Sequence, residues 1–132
     1  MKGGAICAAL FRNHRGFIMD VLNIIFALVS IGFGAIGWLA PKYTMDTIHI
    51  VGHTDTMGMS EVRASAGSLF VGMGLGALLL NTPTAFAMIG FCWIGASVGR
   101  LTSLTLDGQT RKKWGFFAVE AAVGVAALAY NI

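Results

Sequence analysis

Four long apolar runs, residues 21–40, 64–80, 85–104 and 114–130, dominate the pattern of this chain, and most polar residues are crowded between them. A bilayer-spanning helix needs about 20 mainly apolar residues, and about 17 can suffice. Each run therefore predicts a transmembrane helix. At about 1.5 Å per residue the two shorter runs reach about 26 Å, so they cross with little tilt or borrow flanking residues. Asp20 and Asn23 stand at the entrance to the first run and Pro41 ends it, while Asn81-Thr82-Pro83 stops the second. Arg100 is the only charge in the third run and Glu120 the only one in the fourth.

The connections order the runs. Residues 81–84 form a tight turn, which makes the second and third helices antiparallel neighbours. Asp107-Gly108 reads as the turn of the hairpin over residues 105–113. The longest connection, residues 41–63, is polar and has room for a short interfacial helix. The fold class expected is all-α, an integral membrane four-helix bundle over residues 17–132. It is preceded by an N-terminal interfacial segment, residues 1–16, carrying Lys2, Arg12 and Arg15. The first run does not read as a cleavable signal, because Trp38-Leu39-Ala40 lacks a small-x-small site and proline follows at once.

Four crossings put both termini on one side of the membrane, the terminal side, and the long connection and the hairpin on the other, the loop side. Lys42, Arg63, Arg111, Lys112 and Lys113 lie on the loop side, against Lys2, Arg12 and Arg15 on the terminal side. The overall count favours the loop side as cytoplasmic and the weight of the first helix favours the terminal side. Both orientations stay open.

Composition agrees with lipid as the solvent. Of 132 residues, 56% are hydrophobic and 11% charged, against about 25% charged in a soluble domain. So small a chain could not bury that much apolar surface in a core of its own. The net charge of +3 is scattered, which excludes a nucleic-acid partner. Cys7 and Cys92 allow one pairing at most, so a disulfide scaffold is excluded as well. Cys92, between Phe91 and Trp93, reads as packing material.

The charges inside apolar runs are the informative ones. An ionisable group near the centre of a span costs at least ~2.5–3.5 kcal/mol on insertion scales, so it needs a partner or a reason. Residues 100 and 120 lie symmetrically about position 110 in the hairpin. In an antiparallel pair they meet at one depth, within reach of a charge-assisted hydrogen bond. Glu61, Arg63 and Asp107 belong to the same side. A buried polar cluster of Arg63, Arg100, Asp107, Glu120 and Glu61 between the second, third and fourth helices is expected, either as a structural clamp or as a ligand or proton site.

Small residues recur every fourth position: Ala64, Ser68, Gly72 and Gly76 in the second run, Gly95, Gly99 and Ser103 in the third, Ala118, Ala122 and Ala126 in the fourth. Such stripes let helices approach closely in lipid. Gly72, Gly76, Gly95 and Gly99 are thus expected at helix contacts, within the bundle or between molecules. Trp38, Tyr43 and Trp114 fall at the loop-side boundary and Tyr130 near the terminal side, as interfacial anchors.

Other chemistry is sparse. His49 and His53 are spaced i, i+4 with Asp46 and Asp55 nearby, but without the glutamate of a metalloprotease helix they read as a solvated loop and not as a metal site. No histidine lies in any of the four runs, so axial ligation of a haem by histidine there is excluded. There is no nucleophile elbow, P-loop or dinucleotide fingerprint. No catalytic residue, cofactor or metal is expected.

From Arg63 onward an ordered set of residues stands out: Val62-Arg63-Ala64 followed by Gly67, then Gly99-Arg100-Leu101, Ser103, Asp107-Gly108 and the glutamate at 120. Over roughly residues 20–130 the chain resembles a small four-span bacterial family catalogued as domain of unknown function 4345. That resemblance implies a four-helix membrane fold with Arg63, Arg100, Asp107 and Glu120 as its characteristic polar positions, and it implies no activity. The chain has Ser65-Ala66-Gly67 where the family more usually has an aromatic residue and two glycines, and Thr110 where the hairpin often has proline.

Two functions are expected from these features. The first is a non-enzymatic accessory or stabilising subunit, packed against other membrane subunits of a larger respiratory or photosynthetic complex in a bacterial inner membrane. The second is a binder or transporter of a lipid-like, quinone-like or small anionic ligand, working through the Arg/Glu cluster.

Overall fold

The computed structural model describes residues 3–51 and 56–132, with side chains from residue 20 onward. Five helices account for nearly all of it. Helix α1 runs Gly3–Leu39, α2 is the short Pro41–Ile48, α3 runs Met57–Leu80, α4 Pro83–Leu106 and α5 Arg111–Asn131. Among the described residues, four helices are long and apolar enough to cross a membrane: Asp20–Leu39 of α1, and α3, α4 and α5. The fold is therefore an all-α four-helix bundle. The backbone from Gly3 continues without interruption into the first span. His53, Asp55 and Lys2 lie outside the described residues, as do the side chains of Cys7, Arg12 and Arg15.

Local chemistry sets the helix ends. Pro41 occupies the first turn of α2, where a missing N–H costs nothing. His49 ends α2 in the left-handed region at φ 59°, and Asn81 ends α3 the same way at φ 46°. The hydroxyls of Thr82 and Thr110 cap α4 and α5, accepting from the backbone N–H of Ala85 and Lys113 at 3.3 and 3.2 Å. Thr110 thus supplies an N-cap. Gly108, at φ 85°, makes the hairpin turn. Lys113 Nζ reaches back across it to the carbonyl of Gly108 at 2.9 Å.

Helix α3 contains a π-helical turn, Val62–Ser68, in which the Leu69 N–H reaches the carbonyl of Ala64 five residues back. Here α1 and α3 touch backbone to backbone. A Cβ on Gly34 would fall 2.6 Å from the Gly67 carbonyl oxygen, and one on Gly67 would fall 2.5 Å from the Trp38 nitrogen. Gly74 faces the Ala27 carbonyl in the same way, and on the other side of the bundle Gly90 meets Leu128 and Gly124 meets Ile94. The bundle is built from two closely packed pairs, α1 with α3 and α4 with α5. The short turn at residues 81–82 joins these pairs and leaves α3 and α4 with a smaller mutual contact.

This corrects the glycine stripe. Gly72, Gly76, Gly95 and Gly99 have no neighbouring atom within 4 Å of where a Cβ would stand. They do not pack the bundle. Positions 72 and 74, or 95 and 93, are about 200° apart around a helix, so a stripe through one turns its back on the other. The buried face of α3 carries Gly67, Gly74 and Ala77, and that of α4 carries Phe86, Ile89, Gly90, Trp93 and Ser97. Cys92 is exposed as well, a correction to its reading as core filler.

At the centre, Trp93 is 2% exposed and donates through Nε1 to Ser30 Oγ at 3.0 Å, which donates in turn to the Phe26 carbonyl at 2.9 Å. Phe33, Phe70 and Trp93 pack edge to face with centroids 5.4–5.5 Å apart. Near the terminal side, Asn23 and Asn131 exchange reciprocal amide hydrogen bonds at 2.9 and 2.7 Å. Around this core the outer surface is densely apolar, with Leu28, Ile36, Leu69, Leu79, Met88, Phe91 and Val119 all exposed. A hydrocarbon solvent tolerates such a surface and water does not.

Candidate functional site

Arg100 lies six residues before the end of α4 and Glu120 nine residues after the start of α5, about 9 and 14 Å from the helix ends at ordinary helical rise. Arg100 Nη2 donates to Glu120 Oε1 at 2.7 Å, and Nε faces Oε2 at 3.4 Å. The carboxylate is buried, its side chain 6% exposed, whereas the guanidinium side chain is 33% exposed. The guanidinium carbon also sits 5.1 Å from the centre of the Phe116 ring, a cation–π contact. Antiparallel pairing across the short hairpin is what brings two charges twenty residues apart to one place.

The other expected members of the cluster are elsewhere. Arg63 is exposed, and its Nη1 donates to the carbonyl of Trp38 at the end of α1. It caps the carbonyl end of α1. Asp107 is the exposed C-cap of α4, where its backbone carbonyl faces Lys113 Nζ at 3.4 Å. Glu61 is exposed in the first turns of α3, and its carbonyl accepts from Ser65 Oγ at 2.7 Å. A five-residue cluster between α3, α4 and α5 is thus replaced by one ion pair between α4 and α5. Glu61 and Asp107 stand near helix ends, where water and free backbone groups satisfy them, and Arg63, as far into α3 as Arg100 is into α4, turns to the carbonyl end of α1 instead.

The ion pair forms part of the wall of a cavity of about 350 Å³. Phe33 and Ile36 of α1, Phe70 of α3, Ala96 of α4 and Phe116 of α5 give it an apolar lining. Ser65 and Ala66 contribute from the π-helical turn, a backbone irregularity often found beside functional sites. Tyr43, Thr44, Thr47 and Ile48 close it from α2. Lys112, in the first turn of α5, holds α2 in place: its Nζ donates to the Thr47 carbonyl at 2.9 Å and lies 3.2 Å from His49 Nε2. The cavity is open on one flank, where Phe33 is 40% and Tyr43 63% exposed.

Sequence reasoning missed this cavity. Its polar pair was visible as two isolated intramembrane charges, and the short helix α2 was anticipated within residues 41–63, but the π-helical turn and Phe33 carried no signal that set them apart from loop or core. Among the described residues there is no group of three or more His, Cys, Asp or Glu able to hold a metal ion. His49 is engaged with Lys112.

The model of one protein family matches residues 18–130, nearly the whole described bundle; its description is domain of unknown function (DUF4345). No curated protein and no solved structure matches the chain.

Proposed function

This chain belongs to the DUF4345 family, and we propose that it is a non-enzymatic membrane protein that binds a small amphipathic molecule in the cavity beneath α2. One observation carries the reading: an apolar cavity of about 350 Å³ with a single buried ion pair in its wall. Ligand sites are typically concave, mainly apolar and furnished with a few convergent polar groups. The guanidinium side chain is one-third exposed, so part of it is open to a guest. Two of the hydroxyls near the cavity, those of Ser65 and Thr44, donate to backbone carbonyls and not to a base, Ser65 at 2.7 Å. That supports binding over catalysis.

Photolabelling with an alkyl diazirine tests it. Adducts concentrated on Phe33, Ile36, Phe70 and Phe116, and lost on filling the cavity with Ala96→Trp, support a binding site. Labelling spread evenly over the exposed apolar surface contradicts it.

A second reading has its own support. Gly72, Gly95 and Gly99 are exposed on the outer surface, where small residues would let the helix of a neighbouring subunit approach closely. An accessory subunit in a larger membrane complex would use such a face. Loss of co-migration with a larger assembly in Gly99→Leu, with the fold intact, is the outcome that favours it.

A further inference from the structure

Resting on the cavity as a binding site, we infer that its ligand class is an uncharged amphiphile whose polar end is a hydrogen-bond acceptor of the carbonyl type, and not an anion. Arginine carries five N–H groups in one plane. Glu120 takes the edge formed by Nε and Nη2, and Phe116 covers a face. Among the described residues nothing accepts from Nη1. The edge that includes Nη1 is the part of a one-third-exposed side chain left for a guest.

Charge decides what that guest is. Among the described residues Arg100 and Glu120 are the only ionic ones in the cavity lining, and they neutralise each other. An anion at Nη1 would sit a few ångströms from the buried Glu120 carboxylate, and like charges that close repel strongly where water is excluded. It would also give up its own hydration without a surplus positive charge in return. A carbonyl oxygen accepts the same hydrogen bonds without either cost. Lys112, beside α2, is already engaged at Thr47 and His49.

The layout orients the molecule. Tyr43 and Thr47 line the cavity from α2 on the loop side, Arg100 stands about 9 Å in from the end of α4, and Ala96 and Phe70 line it deeper in the bundle. The polar end therefore sits under α2 and the apolar end points toward the middle of the bundle. At about 350 Å³ the space lies at the small end of ligand sites, suited to one ring or one short chain and too small for a two-chain lipid.

Three probes with the same medium-length alkyl chain test this: a methyl ester, the free carboxylate and the plain alkane, each titrated into the purified full chain in detergent and read by native mass spectrometry and thermal shift. The wild type is expected to bind the ester at least about tenfold more tightly than the ionised carboxylate, one decade being about 1.4 kcal/mol. Glu120→Gln keeps a hydrogen-bonding partner but frees the positive charge, so it is expected to reverse that order. A wild type that prefers the carboxylate overturns the inference and leaves the binding site standing. An alkane that binds as well as the ester overturns it too, because the polar end is then not read. If Glu120→Gln fails to fold, Arg100→Gln serves instead: loss of the ester-over-alkane preference supports the inference, and its persistence refutes it. Binding of none of the three to the wild type sinks the cavity reading itself.

Discussion

Arg100 and Glu120, twenty residues apart in the chain, meet at 2.7 Å inside the bundle with the carboxylate almost wholly buried. Removing one partner strands the other. Arg100→Ala or Glu120→Ala is expected to destabilise the fold by about 2–4 kcal/mol, somewhat below the 3–5 of a fully buried pair because the guanidinium is partly exposed. Replacing both, Arg100→Met with Glu120→Leu, restores most of that stability and abolishes binding of a polar-ended ligand. Thermal unfolding in detergent, read beside ligand titration, checks both halves.

Glycines at the α1–α3 crossing cannot be enlarged. Gly67→Ala puts a methyl group 2.5 Å from the Trp38 nitrogen, and neither backbone can give way locally. We expect a loss of about 2–3 kcal/mol or failure to assemble. Gly99→Ala meets open space and gains helix propensity, so its stability is unchanged or higher by up to ~1 kcal/mol. Equal thermal shifts for the two variants would be inconsistent with the crossing described.

Helix α2 is tied down by Lys112 through the Thr47 carbonyl. Lys112→Met is expected to raise hydrogen exchange and protease sensitivity over residues 41–49 while the four spanning helices keep their protection. Faster ligand exchange accompanies it, because α2 covers the cavity.

The Trp93–Ser30 hydrogen bond closes a chain that ends on the Phe26 carbonyl. Trp93→Phe deletes the indole donor but leaves Ser30 its own acceptor, so a cost of about 1 kcal/mol is expected. Trp93→Ala opens a cavity within the aromatic trio and costs about 3–5 kcal/mol. Melting temperatures of the two variants separate the contributions.

The spans, the hairpin and the Arg100–Glu120 pairing were legible because each follows from hydropathy or from symmetry about a turn. The wider cluster was not, since sharing a side of the membrane does not make side chains converge: Asp107 stands at a helix end and Arg63 turns to the Trp38 carbonyl. Which glycines touch was equally hidden. A stripe at every fourth residue fits two opposite faces of an apolar helix equally well, and nothing in the small-residue spacing marked Gly67 and Gly74 above Gly72 and Gly76. The π-helical turn at Val62–Ser68 adds a register shift that uniform periodicity does not contain. The cavity depends on all of these at once, and so on tertiary geometry that no local pattern records.

The most direct test is native mass spectrometry of the full chain extracted in mild detergent, compared with Ala96→Trp. The account predicts one retained small molecule on the wild type, uncharged and of the size of a single chain or ring, and none on the filled variant at unchanged thermal stability. Retention of the same molecule by both proteins would contradict a site in the cavity beneath α2.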